Sequence, residues 1–426
     1  MGHADILIHN IGQLVTCASP GGPKRGTAMS DVGIIANGAV AVVDGKIAAV
    51  GLSDEILSQF NEANTVDAGG NVVCPGFVDP HTHIVFAGNR LDEFELKIKG
   101  AEYLEILAAG GGIISTVRNT REASEDELVE FATKRLNKML ACGTTTCEIK
   151  TGYGLDTKTE LKMLRVIEEL ARTHPIKIVP TFLPAHAVPP EFKDRAGDYV
   201  DLICSEMLPA AWEWYQASEF SFEKIPFFID VFTERNAFDL IQTRKVLKTA
   251  RSLGFKIKAH VDQFTNLGGS GLGVELGAAS IDHLDAISEE EISALAESAT
   301  VGVVIPTEGF NGGKSEFAPA RQMIDASCAI ALTTDYNPGS APSPSMPMSM
   351  AIACRYQKLL PAESINAATI NAAHAIGLGG LVGSIQAGKD ADLLILDTTD
   401  YREAIYEFGL PMVKRVFISG RESLLK

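Results

Sequence analysis

Between residues 77 and 335 the sequence repeats one alternation eight times: a short β-rich apolar run, then a stretch with helical periodicity. The strand candidates are residues 77–83, 144–149, 176–183, 226–233, 255–261, 280–284, 301–306 and 329–335. Ser124 with Glu127 and Ser288 with Glu291 have the spacing of helix capping boxes, and Thr157 with Glu160 has it again. Gly143 and Gly254 stand where helices should stop. Strands joined by helices run parallel, and eight of them close into a barrel. The expected fold is therefore α/β, a (β/α)8 TIM-type barrel.

The two ends of the chain have a different pattern. Residues 6–16 and 40–50 are β-rich, and Asp44-Gly45 between two such runs is a strong hairpin signal. After helical stretches at 346–359 and 361–376, the β pattern returns at 388–397 and 413–422, with a turn at Ser419-Gly420-Arg421. The expectation is a composite β-sandwich domain from residues 1–74 plus 383–426, flanking a barrel of residues 75–382.

Composition removes several function classes. The net charge of −17 argues against nucleic acid or an anionic membrane surface as partner, because phosphates require a basic patch. No apolar run reaches the roughly 18 residues of a membrane span. The N-terminus, MGHADILIHN, has no signal-peptide pattern. Seven scattered cysteines without a CxxC pair suit free thiols in a reducing compartment, so a cytoplasmic location is expected.

Catalytic groups of such barrels gather at the C-terminal ends of the strands. His81 and His83 lie two residues apart at the end of the first strand candidate, where an extended backbone points both imidazoles to one side. His186, His260 and His283 fall at or just past later strands, Glu148 and Lys150 lie by the end of the second, and Asp335 ends the last. Five of the nine histidines thus collect on one face of the barrel. Three imidazoles and a carboxylate, His81, His83, His260 and Asp335, are a ligand set for zinc or iron that leaves a position for water. Such a cation makes hydroxide available near neutral pH, so hydrolysis is the expected reaction class.

The stretch PGFVDPHTH resembles the first-strand signature of the amidohydrolase superfamily, and GKDADLLILD near the C-terminus is also typical of it. The resemblance runs nearly end to end through VFAGNRLDEFELKIKGAEYLEI, AGGGIISTVRNTR, EIKTGYGLDTKTELKMLRVI, PAHAVPPEF, HVDQFTNLGG and TTDYNPGS. TGYGLD with TDYNPGS narrows it to the branch that opens an imidazolone ring in histidine degradation. The resemblance implies one metal ion, Zn2+ or Fe2+/Fe3+, on the same four ligands. It further implies that Arg90, Tyr103, Tyr153 and His186 contact the ring and propionate of 4-imidazolone-5-propanoate, with Asn337, Gly339 and Ser340 at the same pocket. A homodimer is also implied.

One position departs from the branch. Where many members carry glutamate three residues after the third metal histidine, this chain has Gln263. An amide does not accept a proton at neutral pH, so Gln263 is expected only to orient water or substrate. Proton transfer then falls to His283, to Asp335, or to both. Asp262 is a poor substitute, since the strand should end before it, and Lys150 is expected to be structural or to stand behind the metal ligands. A deaminase of a related heterocycle is the nearer alternative, and a non-catalytic barrel scaffold the more distant one.

Overall fold

The computed structural model describes residues 2–62, 64–100 and 111–423. Tyr103 lies outside them. Eight parallel strands form one sheet in sequential order: β1 (Phe77–Asp79), β2 (Thr144–Lys150), β3 (Lys177–Ala185), β4 (Phe228–Thr233), β5 (Lys256–Val261), β6 (Ser280–His283), β7 (Val301–Val304) and β8 (Ala329–Leu332). The expected barrel is therefore present.

The seam between β1 and β8 is closed largely by polar groups. Thr334 donates to the Asp79 carboxylate from both its backbone N–H and its hydroxyl. The Thr333 hydroxyl lies 2.7 Å from the His81 carbonyl oxygen, to which it donates, and the His83 N–H donates to Tyr336 O at 3.0 Å. The last two contacts lock the chain leaving β1 against the chain leaving β8, so they also fix the start of the site.

Helix signals fare unevenly. The Ser124–Glu127 and Ser288–Glu291 boxes form as expected, at the starts of helices Glu125–Ala141 and Glu289–Ala296. The Thr157–Glu160 box does not. Asp156, one residue earlier, accepts from Thr159 N at 2.7 Å and caps helix Thr157–Thr173. Glu160 is thereby freed and turns inward, where it accepts from the N–H groups of Gly152, Gly154 and Leu155. The stretch expected as one helix at 361–376 is two, Pro361–Ala367 and Ile370–Ala375, because Thr369 leaves helical geometry at φ −131° and ψ −94°.

Both termini build a second eight-stranded sheet. Its central joint is the antiparallel pairing of Val72–Pro75 with Leu393–Leu396, which unites N-terminal and C-terminal segments. Asp44 and Gly45 take φ of 50° and 74° between Ile34–Val43 and Lys46–Leu52, and Ser419-Gly420 makes a similar turn at 46° and 71°. Ile8, Leu14, Val40, Val42, Leu393, Ile395 and Phe417 share one apolar cluster, so residues from both ends of the chain bury each other.

Candidate active site

The site lies at the C-terminal mouth of the barrel. His81 and His83 follow β1, His260 is the penultimate residue of β5, His283 ends β6, and Asp335 follows β8 by three residues. His81 and His83 are thus outside the hydrogen-bonded strand, although their spacing still aims both rings at one point. Asp262, His283 and Asp335 have positive φ of 50°, 88° and 48°. Such angles cost a non-glycine residue about 1 kcal/mol or more, and they bend the chain sharply from strand into loop at the point of chemistry.

Four ligand atoms converge. His81 Nε2 and His83 Nε2 are 3.2 Å apart, and His83 Nε2 and His260 Nε2 are 3.4 Å apart. Asp335 Oδ1 lies 3.6 Å from both His81 Nε2 and His83 Nε2. The three Nε2 atoms all lie within 4.8 Å of one another, a spacing that ligands about 2.0–2.1 Å from one metal ion can take, and Asp335 stands beside two of them. The far nitrogens agree: His81 Nδ1 donates to Asp282 at 2.7 Å and His260 Nδ1 to Asp230 at 2.8 Å, which turns each Nε2 lone pair inward. Burial first, and then the Lys150 charge for His81, keep these imidazoles neutral, as metal ligation requires. The donor set therefore fits one zinc or iron ion.

Beneath the ligands lies a charged layer with no solvent exposure. Lys150 Nζ donates to Glu148 and Asp230 at 2.8 Å each, and Lys258 Nζ donates to Pro80 O at 3.0 Å and Ser280 Oγ at 2.7 Å. Burial pushes the Lys150 ammonium down, but Asp230, Glu148 and Asp282 together push it further up, so it is a firm cation. The structural role expected of Lys150 is what its contacts support. Asp230, Lys258 and Asp282 escaped the sequence reading. Their signal was a charged residue in the middle of an otherwise apolar parallel strand, as in FIDVFT, KIKAHV and SIDH.

The wall of the cavity holds the remaining candidates. The His186 ring stacks on His83 with centroids 4.9 Å apart, and Tyr153 lies 5.4 Å from His186 and 5.9 Å from His83. His186 Nδ1 donates to Gly152 O at 3.0 Å, and burial drives its pKa down to about 3, so Nε2 offers a lone pair. Gly152 has φ 104°, and a Cβ there would sit 2.8 Å from His186 Nδ1; only glycine fits. Arg90 Nε donates to Glu93 at 2.7 Å, while a Cβ on Gly339 would meet Arg90 Nη1 at 2.1 Å, so the guanidinium rests against the loop after β8. Arg135 anchors the loop after His83 by donating to Ile84 O and Phe86 O, both at 2.8 Å.

Asn337 spends its amide inside its own loop. Its Oδ1 accepts from the N–H groups of Gly339 and Ser340, and its Nδ2 donates to Asp335 O and Ser340 Oγ. Ser340 Oγ in turn lies 3.5 Å from Asp335 Oδ2. Asp262 accepts from Leu267 N and Ser270 N, which occupies it in the loop after β5 as expected of a residue beyond the strand. Gln263 is buried nearby, as is Glu308, a residue that sequence reasoning missed.

Barrel, strand-end ligands and buried carboxylate props together define a metal-dependent hydrolase of the amidohydrolase type. The amidohydrolase family model matches residues 72–422, and the chain belongs to that family. Relatives include the imidazolonepropionase of Chloroflexus aggregans, 54% identical over 99% of both chains, and that of Symbiobacterium thermophilum, 47% identical over 99% of this chain and 97% of the relative. Among solved structures, an adenosine deaminase from Xanthomonas campestris with bound zinc superposes with a TM-score of 0.71 at 21% identity, covering 99% of this chain and 93% of that one. The guanine deaminase of E. coli gives 0.68 at 16% identity, covering 98% and 99%. These two likenesses bear on the fold alone.

Proposed function

We propose that the chain holds one metal ion, Zn2+ or Fe2+/Fe3+, on His81, His83, His260 and Asp335 and hydrolyses 4-imidazolone-5-propanoate to N-formimidoyl-L-glutamate. The observation that carries this is the convergence of three Nε2 atoms and Asp335 Oδ1 within 3.2–3.6 Å of their neighbours, beside a wall of Tyr153 and His186. The near-full-length relatives named imidazolonepropionase support the substrate. When bound, the ion lowers the pKa of water toward neutrality and polarises a carbonyl.

The chain's own groups do the rest. Arg90, held by Glu93, presents its free donors to the propionate, for which a planar guanidinium is well shaped. Neutral His186 accepts from a ring N–H through Nε2, and Tyr153 packs on the ring. Tyr103, Asn337, Gly339 and Ser340 complete the pocket, and Gln263 orients water or substrate. A water oxygen bonds to the ring carbonyl carbon and the C–N bond breaks. His283 and Asp335 take the water proton, and His283 returns it to the leaving nitrogen.

Incubation with 4-imidazolone-5-propanoate should bleach the ring's ultraviolet absorbance, and a chelator should stop it; bleaching that ignores the chelator, or none at all, defeats the proposal. Release of ammonia in place of the ring-opened acid would point to a deaminase. His283→Ala should lower kcat by about 10²- to 10⁴-fold with metal content unchanged. The acidic charge and the free cysteines suit a cytoplasmic enzyme with a small-molecule substrate and neither nucleic acid nor membrane as partner. We also infer a homodimer, which sedimentation checks.

A further inference from the structure

Glu308 stands in helix Pro306–Asn311 just after β7 and is 95% buried at the edge of the site, being 5% exposed. Its Oε2 lies 3.3 Å from His283 Nδ1. Neither atom has a well-aligned hydrogen-bond partner among the described residues, so each is the natural partner of the other. The opposite oxygen, Oε1, accepts from Lys314 Nζ at 3.1 Å, and Lys314 also stands 3.9 Å from Asp285. The His283 ring packs against two metal-ligand rings, with centroids 5.1 Å from His260 and 5.4 Å from His81.

We propose that Glu308 is the positioning carboxylate of His283, holding its Nδ1–H so that Nε2 faces the reacting atoms, and so supplying from β7 the carboxylate that position 263 lacks. The inference deepens the hydrolase reading and rests on it for the role of His283. The geometry itself requires only a carboxylate, an imidazole and a shared proton. Three arrangements are chemically open to a buried His283, Asp285 and Glu308 cluster, and two are disfavoured. A second metal ion would need the space that the Lys314 ammonium already commands. A Glu308 unpaired with His283 would leave its buried Oε2 without a partner, since Lys314 engages only Oε1. A His283–Glu308 pair satisfies both orphaned atoms at once, and Lys314 pairs with the other carboxylate oxygen.

The groups facing His283 are Glu308, Asp285, Asp335 and the rings of His81 and His260.

The test uses Glu308→Gln, which keeps size and hydrogen bonding but removes the charge, and Glu308→Asp, which keeps the charge. In the zinc-loaded protein, the His283 imidazole nitrogens, assigned by their loss in His283→Asn, should show Nδ1 protonated in a charge-assisted bond, and Glu308→Gln should shift that signal. Glu308→Gln should lower kcat by about 10- to 100-fold with little change in KM. Glu308→Asp should recover part of the loss, and adding Gln263→Glu to Glu308→Gln should recover part of it from the other side. An unmoved nitrogen signal, a kcat within about threefold of wild type, or a second metal equivalent lost in Glu308→Gln would each overturn the proposal. If wild type fails to turn over the imidazolone but shows the Nδ1 signature, the hydrolase reading falls and the His283–Glu308 pair stands.

Discussion

Two buried lysines show how differently the two halves of this molecule treat charge. Lys150, in the barrel, touches the carboxylates of Glu148 and Asp230 at 2.8 Å and is held firmly protonated. Lys389, in the loop that leads into the C-terminal strands of the second sheet, donates to the carbonyl oxygens of Gly379 and Val382, and burial pulls its pKa down to about 8. That sheet's own core is apolar, built of aliphatic side chains and Phe417. Around Lys150, five fully buried ionisable groups, Glu148, Lys150, Asp230, Lys258 and Asp282, face one another. Burying that many charges costs stability unless each is paired. What the barrel gains is orientation, since Asp230 and Asp282 each hold the back of a metal-site histidine while the two lysines neutralise them.

The contrast is breakable, and the largest break should come at Lys150. Lys150→Met leaves Glu148, Asp230 and Asp282 without their shared cation, and should lower unfolding free energy by about 3–5 kcal/mol in denaturant titrations. A loss below about 1 kcal/mol would mean that the layer is not charged as described.

Asp230→Asn probes the gain side. The amide keeps the shape but weakens its hold on His260 Nδ1, so metal affinity should fall about 10- to 100-fold in competition with a chromophoric chelator. Equal affinity in variant and wild type would show that the carboxylate layer does not serve the ligands.

The smallest effect belongs to Lys389→Met. In the folded chain the ammonium is depressed from 10.5 to about 8, so the unfolded chain binds more protons between those values. Stability from this group therefore rises with pH across that window and is lost as pH falls through about 8. Wild type should gain on Lys389→Met when unfolding is compared at about pH 7.5 and 10. A constant difference would show that Lys389 is no more buried in effect than a surface lysine.

Much of the site was legible because barrels place chemistry at strand ends, and strand ends are marked by helix caps and glycines. The Nε2 atoms of His81, His83 and His260 lie together at the barrel mouth, with Asp335 beside the first two. Glu160 was misread because a capping-box spacing is local and silent about competitors. Asp156 took the cap, and Glu160 instead fastened the Gly152–Leu155 turn that presents Tyr153. Glu308 lay in the short helix Pro306–Asn311 after β7, whose six residues are too few for periodicity to assign a side chain a direction.

The sequence by itself determined the eightfold alternation, the hairpins at Asp44-Gly45 and Ser419-Gly420, and the two histidines that share one side of an extended segment. Each follows from interactions within a few residues, such as strand alternation, capping and positive-φ turns. Only the tertiary structure decided which charges meet inside the barrel: His81 finds Asp282 across 201 positions of sequence, and Lys258 reaches Pro80 across 178. Those pairings exist because the sheet closes on itself, and closure is a property of all eight strands together.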